Sequence, residues 1–204
     1  MTSDRPTPDP LGAILVGGSS RRMGRDKAMI QFAGASMADW VARAVGTVLD
    51  GVVAFGRTGT VAGIGCVPDH GPPHRGPLAG LVRALQLAGG RGVLLVGVDQ
   101  PLLRSETLRR LIEAAEPDAA VVPVDRGIRQ VTCALYPGSW RAEAERRDAA
   151  GGSLRSLLRR LPVREVGPTE WRAWGEDGRS WFSVDSPEAL HQALARYPLE
   201  RQPP

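Results

Sequence analysis

Apolar runs and helical stripes alternate along this chain. Leu11–Val16 is a continuous apolar run, the signature of a strand covered on both faces in a parallel sheet. Met37, Trp40, Val41, Ala44, Val45 and Val48 then recur at helical spacing, and Ser36 with Asp39 has the spacing of a capping box. Short strands are predicted at Val52–Phe55 and Ile64–Val67. Pro77 opens a helix whose inner face is Leu78, Leu81, Val82 and Leu85, and Gly89-Gly90 ends it. Val93–Val98 is the most apolar strand and stops at Asp99. Ser105 is placed to cap a helix with Leu108, Leu111 and Ile112 inside. Further strands are expected at 119–122 and 131–136, and a helix through Leu154, Leu157, Leu158 and Leu161 after Gly151-Gly152-Ser153. A late strand at 181–184 runs into Ser186-Pro187, which starts a last helix carrying Leu190, Ala193, Leu194 and Tyr197.

The rhythm predicts a three-layer α/β/α fold around a mostly parallel central sheet. A single domain over 11–198 is expected, between disordered tails at 1–10 and 199–204. At 42% apolar and 24% charged, the composition excludes a chain that is disordered throughout. No apolar run approaches the ~20 residues that span a bilayer, and the first residues lack an apolar signal core. A cytoplasmic protein without membrane attachment is the expectation. Cys66 and Cys133 lie far apart and read as reduced, buried thiols. The net charge of +4 suits an anionic partner. The arginines are scattered rather than interleaved with aromatics, which argues for a small anion over nucleic acid.

Charge type narrows this further. Lys27 is the only lysine; all other cationic side chains are arginines. It closes a stretch that follows the first strand, Val16-Gly17-Gly18-Ser-Ser-Arg-Arg22-Met-Gly-Arg-Asp-Lys27. Glycines let backbone N–H groups approach an anion, and lysine adds a compact charge that phosphate accepts from many angles. The stretch has neither P-loop nor G-x-G-x-x-G spacing. Asp99 ends a strand that is apolar on both faces, where a carboxylate needs water or a cation. Its functional reading is a magnesium ligand, since Mg²⁺ takes one or two carboxylates together with substrate phosphates. The 17–27 loop, Asp69, Asp99 and Asp185 each follow a predicted strand, and one crevice at the carboxyl ends could collect them. Cys66, His70 and His74 suggest zinc, but Gly-Pro-Pro separates the histidines and a fourth ligand is missing. His191 reads as a surface residue. Trp171, Trp174 and Trp181 read as core rather than as a stacking platform.

The strings Leu15-Val-Gly-Gly-x-x-x-Arg-Met-Gly-x-Asp-Lys27, Pro68-Asp69 with Gly76-Pro-Leu-Ala-Gly80, Asp99-x-Pro101 and Val184-Asp-Ser-Pro-Glu188, in this order, resemble the molybdenum cofactor guanylyltransferase family. That family belongs to the nucleotidyltransferases of Rossmann-like fold, and the resemblance covers roughly residues 11–197. It implies transfer of GMP from GTP to Mo-molybdopterin with release of pyrophosphate, Mg²⁺ as cofactor, and molybdoenzyme apo-proteins or other cofactor-assembly proteins as further partners. By residue, it implies Leu15, Val16, Gly17 and Gly18 at the nucleotide, Lys27 and Arg22 on the triphosphate, Asp69 at the nucleotide and Asp99 on magnesium. Asp185 is added as a second magnesium contact. Two departures matter. The second strand reads Val53-Ala-Phe-Gly56, where some relatives carry an asparagine that touches the nucleotide. Ser183-Val-Asp185-Ser stands where relatives often read Asn-x-Asn-Thr, and an aspartate there is familiar from cytidylyltransferases. Alternative readings are a CTP-dependent molybdopterin cytidylyltransferase, a sugar-1-phosphate nucleotidyltransferase and a non-catalytic nucleotide carrier.

Overall fold

The structure, a computed structural model, describes residues 9–17, 26–68 and 76–197. Its strands are β1 (Leu11–Leu15), β2 (Gln31–Phe32), β3 (Ala35–Ser36), β4 (Val52–Phe55), β5 (Gly59–Val61), β6 (Ile64–Val67), β7 (Val93–Gly97), β8 (Ala120–Asp125), β9 (Ile128–Arg129), β10 (Cys133–Tyr136) and β11 (Val163–Val166). Its helices are α1 (Met37–Gly46), α2 (Pro77–Ala88), α3 (Ser105–Glu113), α4 (Arg141–Ala149), α5 (Leu154–Leu158), α6 (Pro168–Ala173) and α7 (Pro187–Arg196).

The main sheet runs β11-β8-β10-β7-β1-β4-β6-β5, with β9 paired to β8. Neighbours β7, β1, β4 and β6 are parallel, as are β8 and β11, while β10 and β5 run against their neighbours. The expected α/β architecture with a mostly parallel sheet is therefore present. The antiparallel β10 carries no sequence signal, because a strand buried on both faces reads the same in either direction.

Alternation along the central strands divides the core. Leu11, Ala13, Val93 and Leu95 pack with Leu78, Leu81 and Leu85 of α2 and with Leu154 and Leu157 of α5. Ile14, Leu94 and Val96 pack on the other face with Val41 and Val45 of α1, Leu108 and Leu111 of α3 and Trp171 of α6. Each central strand thus buries apolar side chains on both faces, with glycine at positions 12 and 97. Helix boundaries follow local chemistry. Ser36 and Asp39 form the capping box of α1, Pro77 opens α2, Gly89 closes it at φ 60, and Ser186 caps α7 ahead of Pro187.

Several expectations need correction. No strand occupies 181–184: Arg179–Trp181 form a 3₁₀ turn, and Val184 N–H then donates to the Asp99 carbonyl at 2.7 Å. Trp181 is taken up in that turn, and the bond from Val184 is not continued into a strand ladder. Asp185 accordingly follows this extended segment rather than a strand end. Ser105 is the first residue of α3 rather than its cap, and Arg104 N–H instead donates to Ser180 Oγ at 3.0 Å. The fifth helix ends at Leu158, leaving Leu161 packed beyond it. Cys133 is buried as expected, whereas Cys66 is half-buried.

Candidate nucleotide site

The site lies where the sheet order reverses. From β1 the chain moves outward to β4 and β6, then returns to β7 on the opposite side of β1. The chain order thus reverses between β1 and β7, the kind of switch point at which α/β sheets bind ligands. Register places Leu15 opposite both Phe55 and Gly97, so the carboxyl ends of β4, β1 and β7 form one ledge. Val98 N–H extends the pairing to the Leu15 carbonyl at 3.0 Å.

At that ledge the backbones of β1 and β4 nearly touch. A Cβ on Gly17 would meet Gly56 Cα at 2.7 Å, and one on Gly56 would meet Gly17 N and Cα at 2.4 Å. Gly56 also has φ +115. Glycine at 56 is therefore required by backbone approach.

Lys27 begins a short 3₁₀ turn, Lys27–Met29, which follows the loop after β1. Asp26 caps this turn by accepting from Ala28 N–H at 3.1 Å. Ala28 is fully buried and anchors the turn, leaving the lysine side chain 24% exposed. Asp99 is displayed by a tight turn after β7. Gln100 N–H donates to the Gly97 carbonyl at 3.2 Å, and the buried Gln100 Oε1 accepts from Gly97 N–H at 3.2 Å. Its carboxylate lies over Gly97, where an added Cβ would come within 2.5 Å of Oδ1. Lys27 Nζ and Asp99 Oδ2 face each other at 3.9 Å. Ser183 Oγ donates to the same Oδ2 at 2.7 Å.

A small apolar cluster beneath these groups explains why three distant segments converge. Phe32, Met37, Leu102, Val184, Ala193 and Tyr197 pack together. Phe32 lies just past the Lys27 turn, Leu102 just past Asp99, and Val184 between Ser183 and Asp185. The Trp40 indole N–H donates to the Phe32 carbonyl at 2.6 Å and fixes the β2–β3 hairpin to α1. Burying one side chain from each segment sets their polar neighbours around a common crevice.

A buried carboxylate holds the carboxyl-terminal segment in place. Glu176, 3% exposed, accepts at Oε1 from the N–H groups of Asp177, Gly178 and Ser180. At Oε2 it accepts from the Thr107 and Ser180 hydroxyls, both at 2.5 Å. This ties the segment leading to Ser183 onto α3. Neither Glu176 nor Ser183 was among the sequence candidates. Glu176 sits in a polar stretch, Gly175-Glu-Asp-Gly178, that looks solvated, and nothing local distinguishes it.

Leu15, Val16, Gly17, Lys27 and Asp99 are thus gathered at one ledge. Asp185 is half-buried two residues past Ser183, and no hydrogen bond or ion pair joins it to another described residue. Gly18, Arg22, Asp69, His70 and His74 lie outside the described residues. Among the described residues, no group of three or more His, Cys, Asp or Glu side chains is placed to hold a metal. The tryptophans are core, as expected: Trp171 and Trp181 are buried and meet edge to face at 5.3 Å, with Trp174 partly buried beside them. His191 is exposed.

Comparison with known proteins fits this geometry. A profile of the MobA-like NTP transferase domain matches residues 12–166, most of the chain. A Rhizobium johnstonii molybdenum cofactor guanylyltransferase is 30% identical over 194 residues, covering 89% of this chain and 90% of the relative. The chain belongs to the molybdenum cofactor guanylyltransferase family. A Bacillus licheniformis relative, named as a probable molybdenum cofactor guanylyltransferase, reaches 37% identity over 134 residues, 62% of this chain and 67% of its own. The fold matches the crystal structure of molybdopterin-guanine dinucleotide biosynthesis protein A from Archaeoglobus fulgidus with TM-score 0.77 at 22% identity, covering 91% and 97% of the two chains. The protein is a nucleotidyltransferase of molybdenum cofactor biosynthesis. Among the described residues, no helix is long and apolar enough to cross a membrane.

Proposed function

We propose that the protein transfers GMP from GTP to the terminal phosphate of Mo-molybdopterin, forming the guanine dinucleotide cofactor and pyrophosphate, in the cytoplasm and with Mg²⁺. The observation that carries this reading is the Lys27–Asp99 pair across the reversal point of the sheet, 3.9 Å apart and partly exposed. A cation for phosphate and a carboxylate for metal stand within one ligand's reach of each other. The names of the relatives supply the choice of guanine.

The reaction forms a bond between an acceptor phosphate oxygen and the α-phosphorus of the nucleotide. The bond from that phosphorus to the bridging β-phosphate oxygen breaks, and pyrophosphate leaves. The acceptor is already anionic at neutral pH, so no strong base is needed. The obstacle is repulsion between anions, and the protein's contribution is positioning and charge neutralisation. Lys27 would face the triphosphate, sharing that task with Arg22. The backbone of Leu15, Val16, Gly17 and Gly18 would line the nucleoside, with Asp69 beside it.

Asp99 suits a magnesium that arrives with the triphosphate: it offers one reachable carboxylate, and Mg²⁺ commonly takes its remaining ligands from phosphates and water. Asp185, on the segment held to Asp99 through Ser183, would supply a second contact. When bound, Mg²⁺ supplies charge neutralisation at the α-phosphorus and on the departing pyrophosphate. Ser183 would hold the Asp99 carboxylate in one rotamer. Molybdoenzyme apo-proteins or other cofactor-assembly proteins would receive the product.

The test is pyrophosphate release with Mo-molybdopterin and each nucleotide in turn. GTP should support turnover and CTP, ATP and UTP should not; turnover with CTP alone would make the protein a cytidylyltransferase. Lys27→Ala should lower kcat/KM by about 10²–10³, comparable to losing one donor that stabilises transition-state charge. Near wild-type turnover in that variant would remove Lys27 from the mechanism.

A further inference from the structure

Arg57 follows Gly56 at the carboxyl end of β4 and turns toward the end of the loop after β1. Its Nη1 donates to Asp26 Oδ2 at 2.5 Å and its Nη2 to Asp26 Oδ1 at 3.3 Å. Both terminal nitrogens are thus engaged by one carboxylate, in the forked geometry that suits guanidinium and not ammonium. The same carboxylate caps the 3₁₀ turn through Ala28 N–H at 3.1 Å. Lys27 lies between the capped residue and the cap, and its ammonium faces Asp99. The Gly17–Gly56 contact fixes where Arg57 begins, since neither backbone can back away without breaking the ledge.

We propose that Arg57 is a positioning residue for nucleotidyl transfer: it grips Asp26 and thereby sets the turn that aims Lys27 into the crevice. This rests on the proposed role of Lys27 at the triphosphate. Arg57 touches no reacting atom in this scheme; it acts through Asp26 on the direction of one ammonium. An isolated ion pair this exposed contributes little to global stability. Its effect should appear in rate instead, where a misplacement of about 1 Å can cost ~10²-fold.

The experiment is a double-mutant cycle between Arg57→Ala and Lys27→Ala, read as kcat and KM for pyrophosphate release from GTP with Mo-molybdopterin. Arg57→Ala alone should lower kcat roughly 10-fold with the urea midpoint little changed, and Arg57→Lys should recover only part of it. Asp26→Asn keeps an oxygen for the cap but loses the charge, and should resemble Arg57→Ala. In the Lys27→Ala background, Arg57→Ala should have almost no further effect, because the group it aims is gone. Multiplying losses would overturn the proposal and make Arg57 an independent ligand contact. Wild-type kinetics in Arg57→Ala would overturn it as well. If the wild-type protein does not release pyrophosphate from GTP, the proposed function fails separately. The cycle is then read as magnesium-nucleotide affinity by thermal shift, where non-additivity between Arg57 and Lys27 decides the same question.

Discussion

Replacing Glu176 gives the most direct measure of how the carboxyl-terminal segment is held. In Glu176→Ala, the hydroxyls of Thr107 and Ser180 and the Ser180 N–H lose an acceptor in positions where Thr107 is 2% and Ser180 0% exposed. The N–H groups of Asp177 and Gly178 also lose their partner, but they lie nearer the surface and can turn to water. A buried donor left unpaired costs ~1–3 kcal/mol. Because the vacated space can admit water, a simple sum overstates the loss, and about 3–5 kcal/mol is expected. Glu176→Gln separates acceptor from charge. Its amide oxygen can keep the backbone N–H groups while the NH₂ faces the two hydroxyls, which can rotate to accept, so about 1–2 kcal/mol is expected. Urea unfolding followed by tryptophan fluorescence suits the measurement, since the Trp171–Trp181 pair lies in the same region. An alanine variant within about 1 kcal/mol of wild type would refute the view that this carboxylate anchors the segment.

Other consequences follow from close contacts and buried groups. Gly97→Ala puts a methyl group 2.5 Å from Asp99 Oδ1, so the carboxylate must swing aside; kcat should fall at least ~10-fold while the urea midpoint barely moves, and equal losses of both would contradict this. Gly56→Ala meets backbone rather than a flexible side chain at 2.4 Å and has φ +115, so about 3 kcal/mol of stability should be lost, measurable by the same unfolding curves. Burial, with the Glu176 charge adding to it, pushes the Cys133 thiol up, and burial likewise pushes up the Tyr136 hydroxyl. Both remain protonated in the folded state above the pH at which they ionise in the unfolded chain. Stability should therefore be fully present below about pH 8.5 and decline as the pH rises past the free thiol and then the free phenol near 10; unfolding midpoints from pH 7 to 10.5 check the sign. A thiol reagent should label half-buried Cys66 in the native protein and Cys133 only on unfolding.

What sequence reveals here depends on the range of the interaction responsible. Strands β1 and β7 are legible because both faces are covered and both bury apolar side chains. The caps of α1, α2 and α7 are legible because the residues that make them are local. Helix α4 is not: its sequence, Arg-Ala-Glu-Ala-Glu-Arg-Arg-Asp-Ala, has no apolar stripe, and it seats through Ala144 and the buried Asp148. The β2–β3 hairpin is similarly obscure, since its turn puts Ala33 at φ 46 before Gly34 at φ 91, a place where asparagine or aspartate would have given the usual signal.

The site divides along the same line. Lys27 and Asp99 can be found from sequence because each is an exception to its surroundings: the one lysine among arginines, and a carboxylate closing an apolar strand. Their partners are ordinary residues made important by distant contacts. Ser183 matters because Val184 is buried with Phe32 and Leu102. Arg57 matters because Gly17 and Gly56 bring β1 and β4 within backbone contact. Glu176 matters because α3 presents Thr107 to it. In each case the deciding contact joins segments far apart in the chain, and no local pattern encodes it. This also bears on how the site tolerates change. A substitution at Lys27 should remove a charge and leave the fold intact, whereas one at Phe32, Leu102 or Val184 should move Lys27, Asp99 and Ser183 relative to one another without altering any of them. Variation in rate among relatives that keep every charged residue of the site is therefore expected to track the side chains of this small apolar cluster.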